Sequence, residues 1–262
     1  MSAPMTVTCL VRLRVSLGAR DASLLDAAVQ LCQRRLYVVL TGDWTLLSMA
    51  QVERRLQFVY QRAASKRPDL DVRVVLPSEH SEVASGVAEI DSILGNPKEE
   101  DDLATVNALR TSLGLPPLSF VALAADVPVS SAAHVAVDGP DNGGGVPSAV
   151  FEHVCVGGTF DYMHIGHKVL LSLAAHVTSR RLVCAVSDAP LLKKKTLREL
   201  MQPVRLRIAL VDDFLRSIKP TIHFDLSPLQ DPFGPAIVDG ALQSILVSEE
   251  TRKVRGRFGG ED

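Results

Sequence analysis

The stretch from Val154 to Val177 does most to fix the outline of this chain, because it joins a buried strand to a helix through a turn of small residues. Val154, Cys155 and Val156 have the β-branched, apolar character of a parallel strand buried on both faces, and Gly157 and Gly158 let the backbone turn sharply after it. Leu170, Leu171, Ala174 and Val177 then recur at helical spacing. Between strand and helix lies GTFDYMHIGH, Gly158 to His167. His164 and His167, three apart, belong on the first helical turn, where both imidazoles point at one volume. A helix start already favours an anion through its unsatisfied amides and its dipole, and glycines let a phosphate approach the backbone. The pattern is one that holds a nucleotide's phosphates.

Imidazole suits that task because it can donate a hydrogen bond in either protonation state, and phosphoryl or nucleotidyl transfer needs positioning and charge stabilisation more than covalent help. Gly166 between the histidines keeps the helix surface bare. Two histidines alone are also compatible with capping or surface roles. Metal ligation is disfavoured, since no third His, Cys or carboxylate follows at zinc-ligand spacing.

GTFDYMHIGH resembles the signature of the HxGH nucleotidyltransferases. Asp188 to Gln202 (DAPLLKKKTLRELMQ), Phe224 to Ala236 (FDLSPLQDPFGPA) and Val247 to Thr251 (VSEET) resemble the phosphopantetheine adenylyltransferase domain of eukaryotic bifunctional coenzyme A synthase, and Leu36 to Leu40 and Leu70 to Leu76 extend the likeness upstream more weakly. The resemblance implies a Rossmann-like, doubly wound parallel sheet. It also implies that the phosphate of 4'-phosphopantetheine attacks the α-phosphorus of ATP, giving dephospho-coenzyme A and pyrophosphate, with Mg²⁺ brought in on ATP. His164 and His167 would be catalytic. Gly158, Thr159, Phe160, Lys193, Ser248 and Thr251 would bind the nucleotide, and Arg207 and Asp231 the pantetheine substrate. Asp161 would cap the turn or support the histidines. A cytidylyltransferase for a small phosphate ester uses a similar turn, but DPFGPA and VSEET argue against it.

The resembling domain continues after VSEET with a serine-rich SSxxxR-type segment that clamps the triphosphate, and then with a kinase. Residues 252–262 carry neither, and no GxxxxGKS or GxxxxGKT phosphate loop occurs. The expectation is a nucleotidyltransferase domain over 151–262 that is incomplete at its carboxyl end. The competing expectation is a non-catalytic isoform acting as a binding or regulatory module.

Ahead of it, Asp126 to Ala149 is poor in large apolar residues and rich in Ser, Pro and Gly, so 126–150 reads as a flexible linker. Residues 1–125 alternate helices (Ser23 to Arg34, about Leu46 to Ala64) with strands (Leu36 to Leu40, Asp71 to Leu76, Ser119 to Ala124), which predicts a smaller α/β domain of unassigned role. Arg12, Arg14 and Arg20 without an acid have the composition of a mitochondrial presequence. The alternation of Val11, Leu13 and Val15 instead favours a strand.

A net charge of −2 provides no field for nucleic acid or an acidic membrane. No apolar run is long enough to cross a bilayer. Cys9, Cys32, Cys155 and Cys184 are scattered, as buried thiols of a reducing compartment would be. The resemblance implies a cytoplasmic or mitochondrial location, and no feature of the sequence specifies an oligomeric state.

Overall fold

Two parallel sheets organise the chain, one in each of two compact units, Met1–Ser148 and Ala149–Asp262. The computed structural model describes residues 8–76, 89–95, 103–123, 148–193, 196–231 and 234–248. The linker expected over 126–150 lies outside the described residues except for 148–150.

The first unit runs β1 (Thr8–Arg14), α1 (Ala19–Leu31), β2 (Arg35–Thr41), α2 (Met49–Lys66), β3 (Asp71–Val75), β4 (Ser92–Gly95), α3 (Leu103–Ser112) and β5 (Ser119–Ala122). Its strands are ordered β3-β2-β1-β4-β5, all parallel. The arginine-bearing start is the central strand, with Cys9, Leu10 and Val11 fully buried. Helix α2 starts at Met49 because Ser48 and Gln51 form a reciprocal cap, Gln51 N donating to Ser48 Oγ at 3.3 Å and Ser48 N to Gln51 Oε1 at 2.9 Å. Helix α1 begins four residues before the predicted Ser23, since Asp21 Oδ2 accepts from Gly18 N and fixes the first turn there.

With five strands, the first unit has the larger sheet of the two among the described residues. Strand β4 and helix α3 carry little local signal in the sequence. Strand β4 has only four residues, and the buried side chains of α3 are Val106 and Arg110, so the helix shows almost no apolar stripe. Arg110 is tolerated there because Nε donates to Pro116 O at 2.7 Å and Nη2 to Ile90 O at 3.4 Å.

The second unit runs β6 (Phe151–Gly158), α4 (Ile165–His176), β7 (Thr178–Ser187), a 3₁₀ turn (Arg198–Leu200), α5 (Val204–Ile218), β8 (His223–Leu229), α6 (Pro235–Val238) and β9 (Ser244–Leu246). Its order is β8-β7-β6-β9, again wholly parallel, the doubly wound Rossmann-like arrangement expected. All four carboxyl ends therefore lie on one edge. Val154, Val156, Leu182, Cys184 and Val186 are fully buried at its centre.

The carboxyl end of α4 is closed by Lys219, whose Nζ donates to Ala175 O at 2.9 Å and Thr178 O at 2.6 Å. Beside it, burial and then the Lys219 ammonium push the His176 pKa down to about 4. The unfolded chain takes up this proton near pH 6.5 and the folded chain only near pH 4. The neutral ring's contribution is therefore fully present above pH 6.5 and is lost as pH falls toward 4. Denaturant titrations at pH 7.5 and 4.5 should show a stability loss roughly 2 kcal/mol greater for the parent chain than for His176→Gln.

Candidate active site

Strand β6 ends in two glycines, and the structure gives Gly158 a steric reason beyond flexibility. A Cβ there would lie 2.8 Å from Cζ of the Phe160 ring and 3.1 Å from both Cε atoms. Phe160 has left-handed backbone, φ 50°, and is fully buried. Its ring closes the core beneath the turn and meets the His167 ring edge-on, with centroids 5.4 Å apart. A side chain at position 158 would displace the floor on which His167 rests.

Helix α4 starts at Ile165, with His164 as its N-cap residue in extended conformation. The His164 side chain makes no cap hydrogen bond, so capping does not account for it. Instead its ring lies over that of His167, centroids 3.8 Å apart and planes 24° from parallel. His164 is exposed and His167 half-buried. A Cβ on Gly166 would come within 3.1 Å of His164 Cε1, so the glycine leaves room for the ring to fold back. The pair sits at the positive end of a 12-residue helix.

Three further residues fix this turn. Arg207, on α5, is 2% exposed; Nη1 donates to Thr159 O at 2.6 Å and Ser187 O at 2.9 Å, and Nε to Gln202 O at 2.9 Å. Burial lowers its pKa, opposed by the Asp161 and Asp188 carboxylates. One guanidinium thus ties the ends of β6 and β7 to the start of α5. Where the resemblance implied a substrate contact, the side chain is turned into the protein and its Nε and Nη1 serve main-chain carbonyls.

Asp161 Oδ1 accepts from Gln202 N at 2.9 Å, Gln202 Oε1 accepts from Tyr162 N at 3.0 Å, and Tyr162 donates its hydroxyl to Leu200 O at 3.2 Å. Asp161 is therefore a tie between two loops, where the sequence had pointed to a cap or a support for the histidines. The Gln202 and Tyr162 contributions went unread, since nothing in their spacing shows them. Arg207 left a signal: it shares a helical stripe with Val211, Phe214, Leu215 and Ile218, all buried.

Lys193 is exposed after β7, and Ser248 is half-buried after β9, both on the carboxyl edge. Thr251 lies outside the described residues, as do Lys194 and Lys195. Asp231 is exposed, and its Oδ1 accepts from Gly234 N at 2.7 Å, so at least this oxygen shapes the loop after β8. Gly234 has φ +52°, and a Cβ there would strike Leu229 Cδ1 at 2.2 Å.

Cys9, Cys32, Cys155 and Cys184 are free and buried. Burial raises the Cys155 thiol to about 11 and Cys184 still higher, so neither supplies a thiolate near neutral pH. Among the described residues no group of three His, Cys, Asp or Glu could hold a metal ion, and no helix is long and apolar enough to cross a membrane.

The family model described as cytidylyltransferase-like matches residues 155–238, from the middle of β6 to the end of α6. An uncharacterized protein of Schizosaccharomyces pombe is 37% identical over 150 residues, 56% of this chain and 46% of that protein. The phosphopantetheine adenylyltransferase of Saccharomyces cerevisiae is 39% identical over 101 residues, 38% of this chain and 33% of its own length. That of Methanopyrus kandleri is 32% identical over 108 residues, which cover 41% of this chain and 68% of the archaeal protein. The chain belongs to the phosphopantetheine adenylyltransferase family. It spans less than half the length of the two fungal relatives. Membership places the paired imidazoles, the glycine turn and the Arg207 strut within a nucleotidyltransferase domain.

Proposed function

We propose that the second unit is a pantetheine-phosphate adenylyltransferase acting in coenzyme A biosynthesis, of the kind found in eukaryotic bifunctional coenzyme A synthase. The observation that carries the reading is the stacked His164–His167 pair at the start of α4, on the carboxyl edge of a doubly wound sheet. Segments 188–202, 224–236 and 247–251 support the finer assignment.

In this reading ATP lies along the edge with its phosphates over the turn after β6. The amides of Gly158, Thr159 and Phe160 face it, Lys193 reaches phosphate oxygens as a mobile charge, and Ser248 and Thr251 border the adenine and ribose. The loop carrying Asp231 borders the pantetheine arm. A phosphate oxygen of 4'-phosphopantetheine forms a bond to the α-phosphorus while the bond to the bridging oxygen breaks, and pyrophosphate leaves with that electron pair. His164 and His167 donate hydrogen bonds to the equatorial oxygens as charge builds there. Charge stabilisation, with no covalent intermediate, is the protein's contribution. Mg²⁺ comes as part of the ATP substrate, held by phosphates and water, because the described residues offer no carboxylate cage.

The test is pyrophosphate release with ATP and CTP in parallel, each offered 4'-phosphopantetheine. Release with ATP alone is the expected result. Release only with CTP and a choline, ethanolamine or glycerol phosphate would replace this reading with a cytidylyltransferase.

A further inference from the structure

The four cysteines are scattered along the sequence, and the fold brings two of them together. Cys9 lies in β1, the central strand of the first sheet, and Cys32 is the residue that ends α1. In the parallel register Cys9 is paired with Leu36 of β2, one strand spacing of about 4.8 Å away. Cys32 Sγ donates to Arg35 O at 3.0 Å, the carbonyl of the peptide that leads into Leu36. The Cys32 sulfur is thereby held beside Cys9, and the two thiols hydrogen-bond to each other.

Both residues are fully buried, yet Cys32 lies just beneath the surface, since its neighbours Leu31, Gln33 and Arg34 are exposed. The hydrogen bond from the Cys9 thiol, assisted by main-chain hydrogen bonds at Cys9, Arg34 and Arg35, holds the Cys32 pKa below its ordinary value against the opposing effect of burial. The cysteines of the second unit are arranged in the opposite way. Cys155 is paired with Val183 and Cys184 with Val156, so the two side chains point to opposite faces of the sheet and cannot meet. Burial raises both of those thiols.

We propose that Cys9 and Cys32 form a redox-active dithiol, which a hydroperoxide converts to an intramolecular disulfide. The Cys32 thiolate attacks one oxygen of hydrogen peroxide: a sulfur–oxygen bond forms, the oxygen–oxygen bond breaks, and the departing hydroxide takes up the proton that Cys32 gave up. The Cys9 sulfur then attacks the Cys32 sulfenic acid. The disulfide bond forms, the sulfur–oxygen bond breaks, and water leaves with the Cys9 proton. Two electrons have passed from the two sulfurs to the peroxide. Hydrogen peroxide suits a buried pair because it is small, and exchange with an added dithiol reverses the product. The disulfide staples the central strand to the end of α1. The inference is independent of the activity assigned to the second unit.

The test exposes the folded full chain to hydrogen peroxide, then reads its intact mass and a peptide map run without reductant. The expected result is the loss of two hydrogens, a linked peptide pair containing Cys9 and Cys32, thiols at Cys155 and Cys184 that still alkylate after unfolding, and full reversal by dithiothreitol. Cys9→Ser should leave Cys32 as a sulfenic acid that dimedone labels. Cys32→Ser should slow oxidation of Cys9 by about tenfold or more, because the thiolate-forming partner is gone. The parent chain's map needs no substitution, so a variant that fails to fold does not decide the question. Four alkylatable thiols remaining once glutathione in the same tube is oxidised, a link that involves Cys155 or Cys184, or equally fast oxidation of Cys9 in a folded Cys32→Ser would each overturn the proposal.

Discussion

Replacing His167 by alanine is expected to lower kcat for ATP-dependent pyrophosphate release by about 10²–10⁴, the usual range for deleting one aligned donor to a developing charge. The ring is half-buried, lies 3.8 Å from that of His164 and rests edge-on against Phe160. Its truncation removes a donor and lets the His164 ring drift. If both imidazoles act chiefly in the transition state, KM for ATP changes little while kcat and kcat/KM fall together. His167→Asn, which keeps an N–H donor of similar reach, should recover part of the loss. Unchanged turnover in His167→Ala would remove the histidine from the proposed chemistry. A rise in KM alone would reassign it to ground-state binding.

Arg207→Met should cost about 3 kcal/mol or more in chemical denaturation, because the change leaves carbonyls of Thr159, Ser187 and Gln202 inside the protein without their donor. The same variant should lose kcat through misplacement of the turn that carries the histidines, although Arg207 itself contacts no reacting atom. Arg207→Lys should recover little of either, since one ammonium cannot span carbonyls from three segments as a planar fork does. A stability loss under about 1 kcal/mol with a raised KM would instead restore Arg207 as a substrate contact.

Much of the second unit was legible because its central strands are continuous apolar runs and its helices carry regular stripes. Val154 to Val156 and Leu182 to Val186 cannot be satisfied except inside a sheet covered on both faces. The histidine pair was legible from spacing alone, since three residues apart on a first turn forces proximity. The reason for Gly158 was not, because a sequence shows that a glycine bends freely but not that an aromatic ring two residues on occupies its Cβ position. The main-chain ties of Arg207 were hidden for a related reason. A charged residue looks the same in sequence whether it faces a phosphate or a main-chain carbonyl, and three-dimensional burial is what separates the two. In the first unit the strands and longer helices were readable. Strand β4 and helix α3 were not, their stability coming from neighbours such as Arg110 and not from local periodicity.

The reciprocal tie between Asp161, Tyr162 and Gln202 means that neither loop can change length by itself. An insertion ahead of α5 would drag the histidine turn out of register, and a deletion in that turn would strand Gln202. Across descendants of this architecture the two segments should be inherited as one module, with indels accumulating elsewhere on the rim, where no such mutual lock constrains drift.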